Sequence, residues 1–267
     1  MLLSPSRADC IVFGVDGVLV DGGAAELSAA ASCLSLCWDE KLKLGGGQPP
    51  DLSPYIAAAE KSLVLSSAGD VVWGLLAVAA VSGKNELAEA LPSVQAWERI
   101  LKTASEPSES GFFSARAVID RIAVNSLYWQ IYNAPAKFNA EGIKVSGGAA
   151  ALEKRLFKRR WDQLPMRVGI FTTRPESGLK AALTTLEWED FPREQMFFGQ
   201  TTPDGIETFC RSRGCSWPLC IGGAPAELHL MEQYGKGDFI VIGGAMNADT
   251  PHFSSAADAL RAILGVV

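Results

Sequence analysis

Residues Cys10–Asp21, CIVFGVDGVLVD, carry the clearest structural signal in the sequence. Its first four residues, Cys10–Phe13, form a short apolar run of the kind that is buried on both faces of a parallel sheet. Gly14 and Gly17 allow the backbone to turn sharply after this run and to bring its N–H groups close to a ligand. We therefore expect a buried first strand that ends in a turn able to line a binding site.

The C-terminal part of the chain alternates between strand and helix patterns, which is typical of a parallel sheet covered by helices on both faces. After a helix over residues 149–161, the predicted strands are Arg167–Phe171, Gln195–Phe198, Leu219–Ile221 and Phe239–Ile242. The predicted helices between and after them are Ser177–Glu187, Gly205–Ser212, Pro225–Glu232 and Ser255–Leu264. With the first strand, this gives a three-layer, Rossmann-like α/β sandwich with five parallel strands. Ligands of such sheets bind at the carboxyl ends of the strands.

The segment between the first strand and this region has helical patterns and no alternating strand. Its predicted helices are Ala24–Trp38, Pro54–Ser66, Asp70–Val81, Asn85–Ala90, Ser93–Ala104 and Phe113–Tyr132. We therefore expect an all-helical cap domain over residues 23–140, inserted into a core domain formed by residues 1–22 and 141–267. The glycine pairs Gly22-Gly23 and Gly147-Gly148 are the predicted hinges.

Several sequence features resemble the haloacid dehalogenase (HAD) superfamily, whose first motif is written hhhhDxDGxLxD. The chain matches that motif at Asp16, Gly17, Leu19 and Asp21. Three further stretches follow in the family's order, namely GIFTTRP at Gly169–Pro175, TTPDG at Thr201–Gly205 and LCIGGAPAE at Leu219–Glu227. The helical insertion after the first strand also agrees. The chain is thus similar to HAD phosphatases that carry a helical cap.

The resemblance implies a phosphoryl-transfer site in which a carboxylate nucleophile, a lysine and Mg²⁺ together handle a concentrated negative charge. It implies Asp16 as the general acid/base and Thr172 as the hydroxyl that holds the phosphoryl group. Three charged positions of the family pattern are degenerate here. Gly14 stands at the nucleophile, Thr202 at the lysine and Gly223 at the first acid of the fourth motif.

These losses lead us to expect that phosphohydrolase activity is gone, because losing a covalent nucleophile alone costs several orders of magnitude in rate. The pocket would then persist as a site for a small anionic or phosphorylated ligand. The resemblance implies that such a ligand contacts Gly14, Val15, Asp16, Gly17, Thr172, Thr173, Arg174 and Thr202. No cofactor is expected. If a metal binds, its ligands would be Asp16 and Glu227, where Glu227 takes the place of the second acid of the fourth motif.

Two other functions remain open at this point. One is an active phosphatase that uses Asp16 and displaced residues together with Mg²⁺. The other is a structural or interaction protein that uses the helical cap. The most apolar run of the predicted cap, Val71–Val81, is about half as long as a membrane-spanning helix. This run therefore predicts either a buried helix or the face of a homodimer.

The composition limits the classes of molecule that we expect the chain to bind. Of the 267 residues, 48% are hydrophobic and 20% are charged, which predicts a sizeable packed core. The formal net charge of −6 argues against nucleic-acid binding. The six cysteines have no C-x-x-C pair or zinc-type spacing, so we interpret them as buried free thiols. The N-terminal residues lack the apolar core of a secretory signal, and we expect a cytoplasmic protein with no membrane partner.

Overall fold

The computed structural model describes residues 7–42, 44, 48–62, 64–65, 67–135, 137–140, 143–146, 148–199, 202–223, 225–243 and 250–265. The chain forms two compact units. We call the first, Met1–Gly22 with Glu153–Val267, the core unit, and the second, Gly23–Leu152, the helical unit. The units divide after Gly22 and after Leu152, whereas the sequence led us to expect the second boundary at residue 140. Gly147, one of the predicted hinge glycines, lies outside the described residues.

The strands are β1 (Cys10–Phe13), β2 (Val20–Asp21), β3 (Lys137–Ala140), β4 (Ile143–Ser146), β5 (Lys154–Arg155), β6 (Arg167–Thr172), β7 (Met196–Phe198), β8 (Pro218–Gly222), β9 (Asp238–Ile242) and β10 (His252–Phe253). The helices are α1 (Gly23–Leu36), α2 (Ser53–Ser62), α3 (Ala68–Ala80), α4 (Leu87–Ala90), α5 (Val94–Ala104), α6 (Arg121–Asn133), α7 (Glu176–Leu186), α8 (Pro203–Arg213), α9 (Pro225–Tyr234) and α10 (Ala256–Leu264).

The core unit is built on a parallel sheet with the strand order β10-β9-β8-β1-β6-β7. All its neighbouring strands pair in parallel, so the predicted α/β class is confirmed. The predicted strand count of five is wrong, because the sheet has six strands. The additional strand, β10, has two residues, which is too short for a hydrophobic pattern to be recognised.

Successive residues of β1 point to opposite faces of the sheet, as the pleat requires. Ile11 and Phe13 are buried in the layer that contains α7 and α10. Cys10 and Val12 are buried in the layer that contains α8 and α9. This alternation continues to Gly14 and therefore directs position 14 toward α9. The arrangement is the expected three-layer sandwich.

The predicted helix over residues 149–161 is wrong. The chain forms a 3₁₀ turn at Ala149–Leu152 and then β5, which pairs with β2 in antiparallel orientation. The segment is extended because the buried Phe157 packs on Phe13, with ring centroids 5.4 Å apart. Arg155 also donates to main-chain carbonyl oxygens at 2.9 and 2.6 Å. These contacts hold the side chain of Arg155 against the core unit.

In the helical unit, α1 to α6 pack around one apolar core. Trp38, Trp73 and Trp97 each donate the indole N–H to a main-chain carbonyl oxygen, at 2.9, 3.1 and 3.1 Å. Most of α3 is buried, which confirms that the apolar run Val71–Val81 contains a buried helix. Packing inside the unit thus accounts for this run.

Two further predictions for the helical unit need correction. The unit is not all helical, because β3 and β4 form an antiparallel hairpin. The predicted helix Phe113–Tyr132 begins only at Arg121. Asp120 sets this start, because its carboxylate accepts hydrogen bonds from the amides of residues 122 and 123 at 2.8 and 3.2 Å.

Within the described parts of both units, no helix combines the length and apolar character that a membrane crossing requires.

Candidate functional site

The turn after β1 lies at the carboxyl end of the sheet, where the sequence predicts a site. The carbonyl oxygen of Val15 accepts hydrogen bonds from the amides of Leu19 and Val20 at 2.9 and 3.1 Å. Gly17 has φ 70°, a left-handed conformation that favours glycine. Two of the expected anion donors are engaged, because the amides of Gly14 and Gly17 each donate to a main-chain carbonyl oxygen at 2.9 Å.

Glu227 occupies the space next to Gly14. A Cβ atom at position 14 would lie 2.7 Å from the carboxyl carbon of Glu227, 2.9 Å from Oε2 and closer still to Oε1. Oε2 accepts a hydrogen bond from the amide of Gly223 at 2.7 Å, which holds the carboxylate in place. The carboxylate of Glu227 therefore fills the volume that the side chain of a nucleophilic aspartate at position 14 would need.

A small pocket lies beside this carboxylate. Apart from Gly14, Gly222 and Glu227, its lining consists of apolar side chains and one thiol: Val12, Phe171, Ile206, Cys220, Ile221, Leu230, Met231 and Phe239. Such a lining offers no positive charge to a phosphoryl group. The pocket continues the apolar packing between β1 and α9.

Arg174 forms the second feature of the site. Its guanidinium group is 3% exposed and donates to Asp16 through Nε, at 3.0 and 3.1 Å, and through Nη2. Nη1 donates to Glu153 at 2.5 Å and to the carbonyl oxygen of Gly178 at 3.2 Å. Glu153 is fully buried, whereas the side chain of Asp16 is 40% exposed. The predicted anion donor is therefore bound to two carboxylates of the chain itself.

The other predicted site residues make fewer contacts. Thr172, the last residue of β6, is buried, and its hydroxyl accepts a hydrogen bond from the amide of Arg174 at 3.2 Å. Val15 is also buried, and Thr173 is partly buried. Thr202 is exposed and precedes α8 without capping the helix through its side chain. Their roles in ligand binding stay predictions.

The residues present fit a Mg²⁺ ion poorly. Mg²⁺ needs near-octahedral oxygen coordination and is usually held by one or two carboxylates together with phosphate. Here Asp16 is paired with Arg174, and Glu227 accepts the Gly223 amide. Among the described residues, the one group of three or more potential metal ligands that lie close together includes neither of these carboxylates. We therefore derive no chemical step through Mg²⁺.

Sequence reasoning missed two aspects of this site. Glu153 belongs to no recognisable motif, and its buried ion pair with Arg174 exists only because the fold brings residues 21 positions apart together. Sequence reasoning also missed that the carboxylate of Glu227 lies beside Gly14. Comparison with the fourth motif, residue by residue, treats Glu227 as a metal ligand. The glycine at position 14 was a usable signal, since it leaves a volume that another side chain can fill.

The fold defined by this sheet, its helical insertion and the site at the carboxyl ends is the HAD-like fold. Phosphatase Tt82 from Thermococcus thioreducens is 15% identical with a TM-score of 0.58, and the match covers 95% of this chain and 98% of that one. CbbY from Rhodobacter sphaeroides, solved in complex with phosphate, is 14% identical with a TM-score of 0.56, covering 96% and 99%. A HAD-superfamily hydrolase from Geobacter sulfurreducens is 13% identical with a TM-score of 0.51, covering 98% and 100%.

These likenesses establish the fold and no more, because a HAD-like fold hosts different activities. No protein-family model and no curated protein sequence matches the chain.

Proposed function

We propose that this chain is a HAD-like protein that has lost phosphohydrolase activity and binds a small anionic ligand without turning it over. One observation carries the proposal. The place of the nucleophilic side chain is filled by the carboxylate of Glu227, which the Gly223 amide holds through a hydrogen bond of 2.7 Å. A phosphoryl group at this place would meet a carboxylate, without a lysine at position 202 to offset the repulsion.

A small anion would bind to Arg174 by displacing one of the carboxylates that pair with it. Arg174 is the one cationic side chain that the described structure shows in contact with Asp16, and it is already neutralised by Asp16 and Glu153. Of these two carboxylates, Asp16 is partly exposed and Glu153 is buried, so Asp16 is the one that solvent or a ligand can displace. A small anion then replaces Asp16 on the guanidinium, while Glu153 keeps Arg174 in position. The binding is expected to be weak, because each new ion pair replaces an existing one.

The proposal predicts both that phosphate esters are not hydrolysed and how tightly phosphate binds. The wild-type chain should show no Mg²⁺-dependent hydrolysis of a panel of phosphate esters. Inorganic phosphate, followed by isothermal titration calorimetry, should bind to Asp16→Asn about tenfold more tightly than to the wild type, which corresponds to about 1.4 kcal/mol. The reason is that the neutral amide competes less well for the guanidinium of Arg174.

Asp21→Asn provides the matched control. It removes the same charge from the same first motif, but Asp21 lies in β2 and is exposed there. Its phosphate affinity should stay at the wild-type value. If Asp16→Asn binds phosphate no better than Asp21→Asn, the exchange is refuted. Robust hydrolysis by the wild type would refute the loss of activity independently of the binding result.

A second candidate function is an active phosphatase in which Glu227 supplies the missing carboxylate. The observation that favours it is again the position of this carboxylate beside Gly14. In that case wild-type turnover is detectable, Glu227→Gln abolishes it, and Asp16→Asn lowers it through loss of the acid/base group. Activity that survives Glu227→Gln would exclude this candidate.

A further inference from the structure

The amino end of β1 carries a second cluster of reactive side chains, at the opposite end of the strand from Gly14. A carboxylate oxygen of Asp9 and the sulfur atoms of Cys10 and Cys215 all lie within 4.8 Å of one another. The thiol of Cys10 is also hydrogen-bonded to that of Cys210. All three thiols are buried and free. We call these four residues the cysteine cluster.

Two elements of the core unit bring the cysteine cluster together. Cys10 is the first residue of β1 and faces the layer of α8 and α9. Cys210 lies in the last turn of α8, and Cys215 follows the end of that helix. Gly214 reverses the chain there in a left-handed conformation, φ 63°, so that the amide of Cys215 donates to the carbonyl oxygen of Cys210 at 2.8 Å. Both side chains are buried in the same apolar cluster as Cys10.

The carboxylate of Asp9 is held in a fixed orientation. Oδ2 accepts hydrogen bonds from the amide and the hydroxyl of Ser216 at 2.7 and 2.9 Å, and Oδ1 accepts one from the amide of Trp217 at 3.0 Å. Burial raises the pKa of Asp9, but these hydrogen bonds outweigh it and keep the pKa below its usual value. A carboxylate has about four acceptor positions. The thiol of Cys10 donates to the remaining one, so a metal ion would take this position when Cys10 loses its proton.

The thiols of the cluster also interact with other groups of the core unit. The guanidinium of Arg167 donates a hydrogen bond to the sulfur of Cys215 at 3.6 Å. The interaction between Cys10 and Cys210 lowers the pKa of Cys210 and, together with burial, raises the pKa of Cys10. Because cysteine binds metal ions as the thiolate, a metal ion would have to displace the thiol proton of Cys10 on binding.

We propose that Asp9, Cys10, Cys210 and Cys215 form a structural binding site for one thiophilic divalent cation of the zinc type. Zinc binds cysteine sulfur at about 2.3 Å and carboxylate oxygen at about 2.0–2.2 Å in tetrahedral geometry. The ligand atoms of such a site lie roughly 3.5–3.8 Å apart. Asp9, Cys10 and Cys215 already lie within 4.8 Å of one another, and the side chain of Cys210 would have to rotate to join them. The hydrogen bonds to Asp9 supply the outer contacts that orient a metal-binding carboxylate. The ion would join the start of β1 to the end of α8.

This site is independent of the proposed function. It lies at the other end of β1 from Gly14, about 13 Å away for a four-residue strand. It contains none of the residues proposed to bind the anion. A metal ion there would contribute to folding stability, since binding to the folded state alone shifts the unfolding equilibrium.

The test uses the full chain, reduced and stripped of metal with a chelator, with all thiols counted under denaturing conditions beforehand. Titration with Co²⁺ should produce a thiolate-to-cobalt charge-transfer band and intense visible bands of a tetrahedral site, saturating at one ion per chain. Zn²⁺ should displace Co²⁺ and raise the melting temperature. Cys10→Ala and Cys215→Ala should lose the charge-transfer band, and Asp9→Asn should shift the visible bands and weaken binding.

Cys33→Ala is the matched control, because Cys33 is a buried cysteine of the helical unit that forms no disulfide. It should keep the bands and the stabilisation by Zn²⁺. If Cys10→Ala does not fold, Cys215→Ala and Asp9→Asn still decide the matter, since both positions lie outside the strand. Fully reduced wild type without a charge-transfer band would overturn the proposal, as would a band that survives Cys215→Ala.

Discussion

Replacing Arg174 by methionine should lower the free energy of unfolding by about 3–5 kcal/mol, the usual cost of breaking a buried ion pair by removing one partner. The guanidinium of Arg174 is 3% exposed, and the side chain of Glu153 beside it is fully buried. Without the guanidinium, Glu153 keeps its hydrogen bond from the hydroxyl of Thr185 at 3.1 Å but loses its positive partner. A buried carboxylate then loses the positive charge that Arg174 supplies. Chemical denaturation followed by circular dichroism would measure the difference.

Arg261→Met is the matched control for this change. Arg261 also forms an ion pair, with Asp258 at 2.9 Å, but the two side chains are 58% and 43% exposed. Water can solvate the carboxylate that remains, so the loss should be at most about 1 kcal/mol. The double variant Arg174→Met/Glu153→Gln should recover part of the stability of the single variant, because it also removes the buried negative charge. Equal losses for Arg174→Met and Arg261→Met would show that burial of the Arg174 network contributes nothing.

The core of the fold could be predicted because its signals are local. The apolar run of β1, the alternation of strands and helices after Arg167, and the order of the four motif-like stretches are all visible in the sequence. Each reflects a physical requirement, namely burial on both faces of a parallel strand or a helix that must cover the sheet. The sixth strand of the sheet, β10, was not predicted because it consists only of His252 and Phe253.

The errors occurred where tertiary contacts override local preference. The segment around Arg155 has a composition compatible with a helix, yet Phe157 is drawn into the core and the chain is extended there. Likewise, the helix expected from Phe113 begins at Arg121, where the Asp120 side chain caps it. A helical pattern predicts the existence of a helix better than its ends, because caps and turns fix the ends.

The charge pairs of the candidate site could not be predicted from the sequence. The sequence shows that position 14 lacks a carboxylate, but it does not show that the carboxylate of Glu227 lies in the same volume. It places Arg174 near a ligand, but it does not reveal that Asp16 and Glu153 bind the guanidinium. Both facts depend on distances between residues far apart in the chain. They change the expectation from an open anion pocket to a site in which a ligand competes with the protein's own carboxylates.

We also expect Gly14→Asp to destabilise the chain. This substitution places an aspartate where the HAD motif has its nucleophile. Its Cβ would overlap the Glu227 carboxylate, which lies with Oε2 at 2.9 Å and Oε1 closer. Glu227 can swing away, but it then loses the hydrogen bond from the Gly223 amide and leaves two carboxylates side by side. Overpacking of this kind costs about 1–3 kcal/mol. The measurement is the free energy of unfolding by denaturant titration at neutral pH.

Glu227→Ala separates this explanation from a general intolerance of position 14. In the double variant Gly14→Asp/Glu227→Ala, the new carboxylate enters the volume that Glu227 has left. The two changes should therefore be coupled favourably, by about 0.5–3 kcal/mol in a double-mutant cycle. Gly111→Asp is the control for the substitution itself, since a Cβ at that glycine meets no atom within 4 Å. It should change stability by less than about 0.5 kcal/mol.

The cycle also tests the reading of the site as a whole. If Gly14→Asp is as stable as the wild type, or if its loss is unaffected by Glu227→Ala, then the Glu227 carboxylate does not occupy the nucleophile volume and the argument for lost activity loses its support. If the coupling is found, the double variant should still fail to hydrolyse phosphate esters. Thr202 and Gly223 would continue to lack the positive charge and the second acid that phosphoryl transfer requires. We therefore expect that a carboxylate at position 14 is not sufficient by itself for hydrolysis in this chain.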